Sequence, residues 1–213
     1  MLIRRPDKPS SDEEWKAFLR THDFGQFIAP GTGRDLPVVV PTHFVYEGGD
    51  EALFHLARPN PAWRALEENP AGILTVVGAY TYVTAEMNTG PEDSPEYGIP
   101  TSYYAAVQIG GRAELVDDAE GIARLLNVQL NHFEPERRGH PVSTENEYGR
   151  SLAAIRGVRF HFEDVRAKFK FGGNRRPDHQ AAIGESLRAR GRGFDLEAAE
   201  IQTRRLRERG ARG

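Results

Sequence analysis

The feature that most constrains the fold is a pair of strand-like runs on either side of Gly48-Gly49, in the stretch THFVYEGGDEALFHLA from Thr42 to Ala57. Adjacent glycines accept the positive φ that a tight hairpin turn needs, and aromatic and aliphatic residues crowd both sides. With the two glycines as the loop, Val40 faces Ala57, Thr42 faces His55 and Phe44 faces Leu53. Thr42 and His55 then share one surface, because side chains alternate faces along a strand. A second hairpin is expected from Gly25–Ala29, a turn at Pro30-Gly31-Thr32-Gly33, and Leu36–Pro41. Further β-rich stretches run through Gly72–Thr84, Thr101–Val116 and Gly157–Phe171. In the last, Val158, Phe160 and Phe162 alternate with Arg159, His161 and Glu163. Gly110-Gly111 reads as a bulge or kink in the middle one.

Helices are expected between and after these runs. Acids follow Ser10-Ser11, where a helix dipole favours them, and Trp15, Phe18 and Leu19 share a face. Asn60 as cap and Pro61 at the first turn open a short helix through Trp63 and Leu66 that stops by Asn69-Pro70. Asp117-Asp118 precede Ile122, Leu125, Leu126, Leu130 and Phe133 at helical spacing. Thr144-Glu145-Asn146-Glu147 matches a capping box before a helix carrying Leu152 and Ile155. Asp178 and Asp195 each head a terminal helix, through Ile183 and Leu187 and through Ile201 and Leu206. Strands with helices inserted or appended make the chain mainly β with added helices (α+β), a small antiparallel barrel.

Composition removes several functions. Among 213 residues there is no cysteine, so disulfides, thiolate metal sites and a cysteine nucleophile are excluded. The net charge of −3 gives no global field for nucleic acid. No apolar run approaches a membrane span, and the first fifteen residues lack the apolar stretch of a signal peptide, so a cytoplasmic location is expected. The seven histidines form neither HxH nor HExxH, and no metal is expected. There is no GxSxG elbow, no P-loop and no GxGxxG opening a helix. The acids Glu86, Glu92, Asp93 and Glu96 fall in a long polar loop from Glu86 to Pro100, better explained by solvation than by acid–base chemistry.

Three places remain. At Arg58-Pro59-Asn60-Pro61 a strand gives way to a helix whose first amides suit a phosphate, with the Arg58 fork beside them and Thr42 and His55 within reach. The same residues also suit an ordinary junction, with Arg58 paired to an acid and His55 packed inside. In KFKFGGNRR, Lys168 and Lys170 share a strand face and Asn174, Arg175 and Arg176 follow in a glycine turn. That arrangement serves an anion nest or a solvated edge strand equally. Only four of the 28 basic residues are lysines, and two of them are here. Tyr80, Tyr82, Tyr97, Tyr103 and Tyr104 could stack on a planar ligand, though packing on a sheet is the commoner use.

The run THFVYEGGDEALFHLARPNPAW resembles the amino-terminal signature of the PaiB-like family, described as FMN-binding negative transcriptional regulators. It carries Thr42-His43, His55, Ala57-Arg58, Asn60 and Trp63 in that family's order. PTSYYAAVQIGGRAELVDD, the segment from Thr144 to Ile155, and KFKFGGNRRPDHQAAIGESLRARG continue the likeness from about Trp15 to Gly191. The resemblance implies a six-stranded antiparallel split barrel of the FMN-binding type, a homodimer with FMN near the subunit interface. It implies a cofactor site of Thr42, His43, His55, Ala57, Arg58 and Asn60, with Lys168, Lys170, Asn174 and Arg175 in the later basic motif. On this basis residues 1–191 form the FMN-binding domain and 192–213 a basic helix or tail. Four positions depart from the family: Met87-Asn88 replaces an aromatic pair, Ser102 an aromatic, and Gly173 a polar residue. The implied function is FMN binding in a regulator. The alternatives are a flavin-dependent oxidoreductase, with His43 and Tyr103 as candidate proton donors, and a regulator that needs no cofactor. Partners are a second copy, FMN, and DNA or a regulatory protein. No helix-turn-helix or zinc finger supports direct DNA contact.

Overall fold

The computed structural model describes residues 1–90, 94 and 98–210. Glu92, Asp93, Glu96 and Tyr97, singled out above, lie outside them. The strands are β1 (Phe24–Ala29), β2 (Val38–His43), β3 (Glu51–Ala57), β4 (Ala71–Val83), β5 (Thr101–Val116) and β6 (Ile155–Lys170). The helices are α1 (Asp12–Thr21), α2 (Ala62–Glu68), α3 (Ala119–Phe133), α4 (Gly149–Leu152), α5 (Pro177–Arg190) and α6 (Asp195–Gly210), preceded by a 3₁₀ turn at Arg5–Asp7. The strands form one six-stranded antiparallel sheet in the order β2-β1-β4-β5-β6-β3. The chain divides into two compact units. Unit 1 holds residues 1–15, 77–107 and 166–213, and unit 2 holds 16–76 and 108–165.

The Gly48-Gly49 hairpin is not a two-stranded ladder. β2 pairs with β1, Val40 opposite Phe27 and Thr42 opposite Gly25. β3 pairs with β6, Leu53 opposite Arg159 and His55 opposite Gly157. Between β2 and β3 there is a single bridge, where Val45 and Leu53 exchange hydrogen bonds of 2.8 and 2.9 Å. The loop therefore only joins the two edge strands of the sheet, and each edge takes its partner elsewhere. The expected β1–β2 hairpin does form, Ala29 opposite Val38.

Period-two patterning becomes burial. Phe27, Phe44, Phe54, Leu74 and Phe160 are among the large fully buried side chains of unit 2, and Phe27 packs on Phe54 and Phe160 at centroid distances of 4.9 and 5.2 Å. In unit 1, Tyr103, Phe169, Phe171, Ile183 and Leu187 are buried, and α5 packs on α6. Asp118 caps α3 as expected, its carboxylate accepting from the Gly121 amide at 2.7 Å. The capping box at Thr144 does not form. Ser143 Oγ and Asn146 Oδ1 take the Glu145 and Tyr148 amides instead, α4 is one turn long, and Ile155 starts β6. β5 runs without interruption through Gly110-Gly111. A Cβ at Gly111 would land on the His161 carbonyl oxygen, so this glycine permits close backbone approach rather than a bulge.

Candidate functional site

In unit 2 the strand-to-helix corner keeps its donors for itself. Arg58 Nε donates to the Ala153 carbonyl at 2.8 Å and Nη2 to the Ile155 carbonyl at 3.3 Å, with Nη1 4.0 Å from Asp117. The Arg58 amide donates to Ala154 and the Asn60 amide to Ala57, each through the carbonyl oxygen. Asn60 Oδ1 accepts the Ala62 amide at 2.9 Å, and the Trp63 amide reaches the Asn60 carbonyl. Helix α2 has only seven residues. The expectation of a guanidinium and free amides waiting for an anion is corrected: Arg58 staples the end of β3 to the start of β6, and the amides close a turn. Ala57 belongs to the same closure, since its carbonyl also accepts from Trp63 Nε1.

Thr42 and His55 do not share a surface. Thr42 is buried and its hydroxyl donates to the His43 carbonyl. It is His43 that meets His55, edge to face at 5.4 Å, with Phe133 closing on the other side at 5.2 Å. His55 Nδ1 bonds Gln129 Oε1 at 2.6 Å. Partial burial, and then the neighbouring His55, hold the His43 pKa below the ordinary imidazole value, while Asp23 acts in the opposite direction. Among the described residues no cluster of three or more His, Cys, Asp or Glu side chains is placed to hold a metal ion.

In unit 1 the basic motif at the end of β6 opens onto a cavity of about 300 Å³. Lys168, Lys170, Asn174 and Arg175 all line it, so the structure brings these four expected residues together. Strand alternation explains the lysines: Phe169 turns into the core while its neighbours face the cavity. The loop then turns back, the Arg175 amide bonding the Gly172 carbonyl at 2.8 Å. Arg4 adds a fourth cation, and Asp7 is the one carboxylate among the described lining residues. Among those residues none of the four cations has a carboxylate partner. Lys168 Nζ donates to the Leu2 carbonyl at 3.0 Å and Lys170 Nζ to Thr101 Oγ1 at 2.7 Å. Tyr103 lies beneath them, with burial pushing its pKa up to about 12 while Arg175 pulls it down, so its hydroxyl stays protonated. The wall formed by Leu2, Arg4, Pro6 and Asp7, and Asn88 from the loop after β4, were missed. Gly173 hints at the wall: a Cβ there would press on the Pro6 carbonyl.

The family model described as "Putative FMN-binding domain" matches residues 1–164. The chain belongs to that family. FMN is therefore its cofactor, and the flavin-binding split barrel is its fold. No curated protein sequence matches it. The flavocytochrome Anf3 of Azotobacter vinelandii is similar in structure, with a TM-score of 0.60 and 23% identity over 77% of this chain and 69% of the other. So is an FAD and heme binding protein of Mycobacterium smegmatis, with a TM-score of 0.60 and 21% identity over 83% and 79%. The cavity fits an FMN-binding family: among the described residues, four cations against one carboxylate suit a phosphate dianion, and Asn88 Oδ1 is buried there without a donor. Its volume of about 300 Å³ is the size of a phosphate-bearing portion of such a cofactor rather than of the whole.

Proposed function

We propose that this chain is a homodimeric FMN-binding protein of the PaiB-like kind, with the cofactor's phosphate held in the unit 1 cavity by Lys168, Lys170, Arg175 and Arg4. The observation that carries the reading is the excess of positive charge among the described residues of that cavity's lining. Asn174 faces the same space and supplies an amide donor. The phosphate is assigned here, and not to the Arg58 corner, because the corner's donors are already satisfied. Bound FMN supplies hydride and single-electron chemistry of its own. The protein's part is to bind and orient it, and to keep Tyr103 as a neutral hydroxyl at the cavity floor.

A second copy suits the outward face of unit 2. Val39, Ile28 and Ile73 lie in register across β2, β1 and β4, and Val39 and Ile73 are 49% and 43% exposed. A regulatory role runs through a protein partner rather than a basic DNA face. Of the arginines of α6, Arg205 pairs with Glu14, and Arg209 donates to the Gly173 carbonyl and to Gln180.

Fluorescence titration with FMN and with riboflavin tests the assignment. The wild type should prefer FMN, and Lys168→Ala/Lys170→Ala should weaken FMN about 100-fold while leaving riboflavin unchanged. Equal affinity for the two flavins, or a colourless protein that takes up neither, would refute it.

A further inference from the structure

The loop after β4 places one acceptor in the cavity with nothing to accept. Asn88 is 5% exposed and lines the cavity beside Thr101 and Tyr103. Its position is firmly set. The backbone amide donates to the Thr84 and Ala85 carbonyls at 3.0 and 3.1 Å, and Nδ2 donates to the Ile99 carbonyl at 2.5 Å. Neighbouring bonds brace the same turn: the Met87 amide to Thr84 Oγ1, and Thr89 Oγ1 to the Ala85 carbonyl. With Nδ2 committed, Oδ1 is the side chain's remaining polar atom beside the cavity, buried and without a donor among the described residues. A buried acceptor without a partner is costly, and proteins rarely leave one unless something else supplies the proton.

The four cations cannot be satisfied by the group that would satisfy Asn88. The dianion of a simple phosphate monoester offers acceptors only, so it answers Arg4, Lys168, Lys170 and Arg175 and leaves Oδ1 as it was. The occupant that answers both carries a hydrogen-bond donor a few atoms from its anionic group. A phosphate ester of a polyol has that pattern, hydroxyls along the carbon chain and a dianion at its end. An amide also suits the place better than a carboxylate, because it accepts a hydroxyl proton without repelling the phosphate.

We infer that Asn88 is a specificity-determining residue: its Oδ1 accepts a hydrogen bond from a hydroxyl next to the phosphate, so that the cavity selects phosphorylated polyols over other phosphate esters. This rests on the reading that the cavity holds the phosphate end of FMN, whose ribityl chain is such a polyol.

Calorimetric titration of the full chain with butyl phosphate, ribitol 5-phosphate and FMN tests it. The wild type should hold ribitol 5-phosphate about tenfold tighter than butyl phosphate. Asn88→Ala should abolish that gap with butyl phosphate unchanged, and Asn88→Ser should restore part of it. A wild type that holds both esters equally overturns the inference whatever the variants do, as does a gap that persists in Asn88→Ala. FMN binding without a polyol preference removes the role of Asn88 and spares the cofactor site. A polyol preference without FMN binding keeps Asn88 and removes the cofactor site. A protein that binds no phosphate ester overturns both.

Discussion

Asp195 has no exposed surface, and its charge is met from three sides. Arg190 donates to both carboxylate oxygens, at 2.7 and 2.8 Å, the Arg192 amide donates at 2.8 Å, and the Thr81 hydroxyl also donates. Arg190 in turn bonds the Tyr82 carbonyl at 2.9 Å, so one side-chain pair ties the start of α6 to β4. The Arg190 hydrogen bonds, ahead of the others, hold the Asp195 pKa well below the ordinary value of 3.8. A depressed carboxylate contributes stability that is complete above that ordinary value and is lost as pH falls below it. Asp195→Asn should cost about 2 kcal/mol at neutral pH, because Arg190 then lacks its charged partner. It should also flatten the dependence of stability on pH below about 4. Denaturant melts at pH 7 and pH 3 check both, and a variant that keeps the wild-type acid slope would show that other carboxylates set it.

At the scale of elements, Gly110 and Gly111 separate two ideas about β5. A Cβ at Gly110 comes no nearer than 3.8 Å to anything, whereas at Gly111 it meets the β6 backbone. Gly111→Ala should lower stability by about 2–3 kcal/mol and Gly110→Ala should be close to neutral, read as the midpoint of urea unfolding at unchanged slope. Equal effects would mean that the pair serves chain flexibility. These positions also show what periodicity can and cannot reveal. The alternation of Val158, Phe160 and Phe162 announces a strand, and Asp118 announces a helix start, because both signals are local. Nothing local to Leu53 says that its neighbour is Arg159, about a hundred residues later, so the near-sequence partner across Gly48-Gly49 was preferred. The same limit applies to the site. Lys168, Lys170, Asn174 and Arg175 form one contiguous motif and were legible. Arg4, Pro6 and Asn88 reach the same cavity from distant stretches and were not. At Thr144 the capping pattern is present, but one turn of helix leaves too little structure for it to cap.

At the scale of the whole molecule, the family assignment makes the state of assembly the next measurement. Val39, Ile28 and Ile73 form an apolar row on an outward sheet surface of unit 2, and Phe24 on the same strand as Ile28 is 61% exposed. Isolated exposed apolar residues are ordinary, but a row in register across three strands is the surface on which the proposed dimer would form. Light scattering should give a mass twice that of the 23.8 kDa chain, and Ile73→Lys should halve it without lowering the thermal midpoint of the monomer by more than a few degrees. A wild type that stays monomeric at micromolar concentration would refute the interface.

The two tryptophans are distributed one to each unit. Trp15 falls in unit 1 and donates its ring N–H to Asp12; Trp63 falls in unit 2, under the Arg156 guanidinium at 4.8 Å. Replacing either with phenylalanine leaves a single intrinsic fluorophore, so emission from the remaining indole follows the melting of its own unit. Coincident curves would mean one cooperative transition, and separated curves would rank the halves by their resistance to heat.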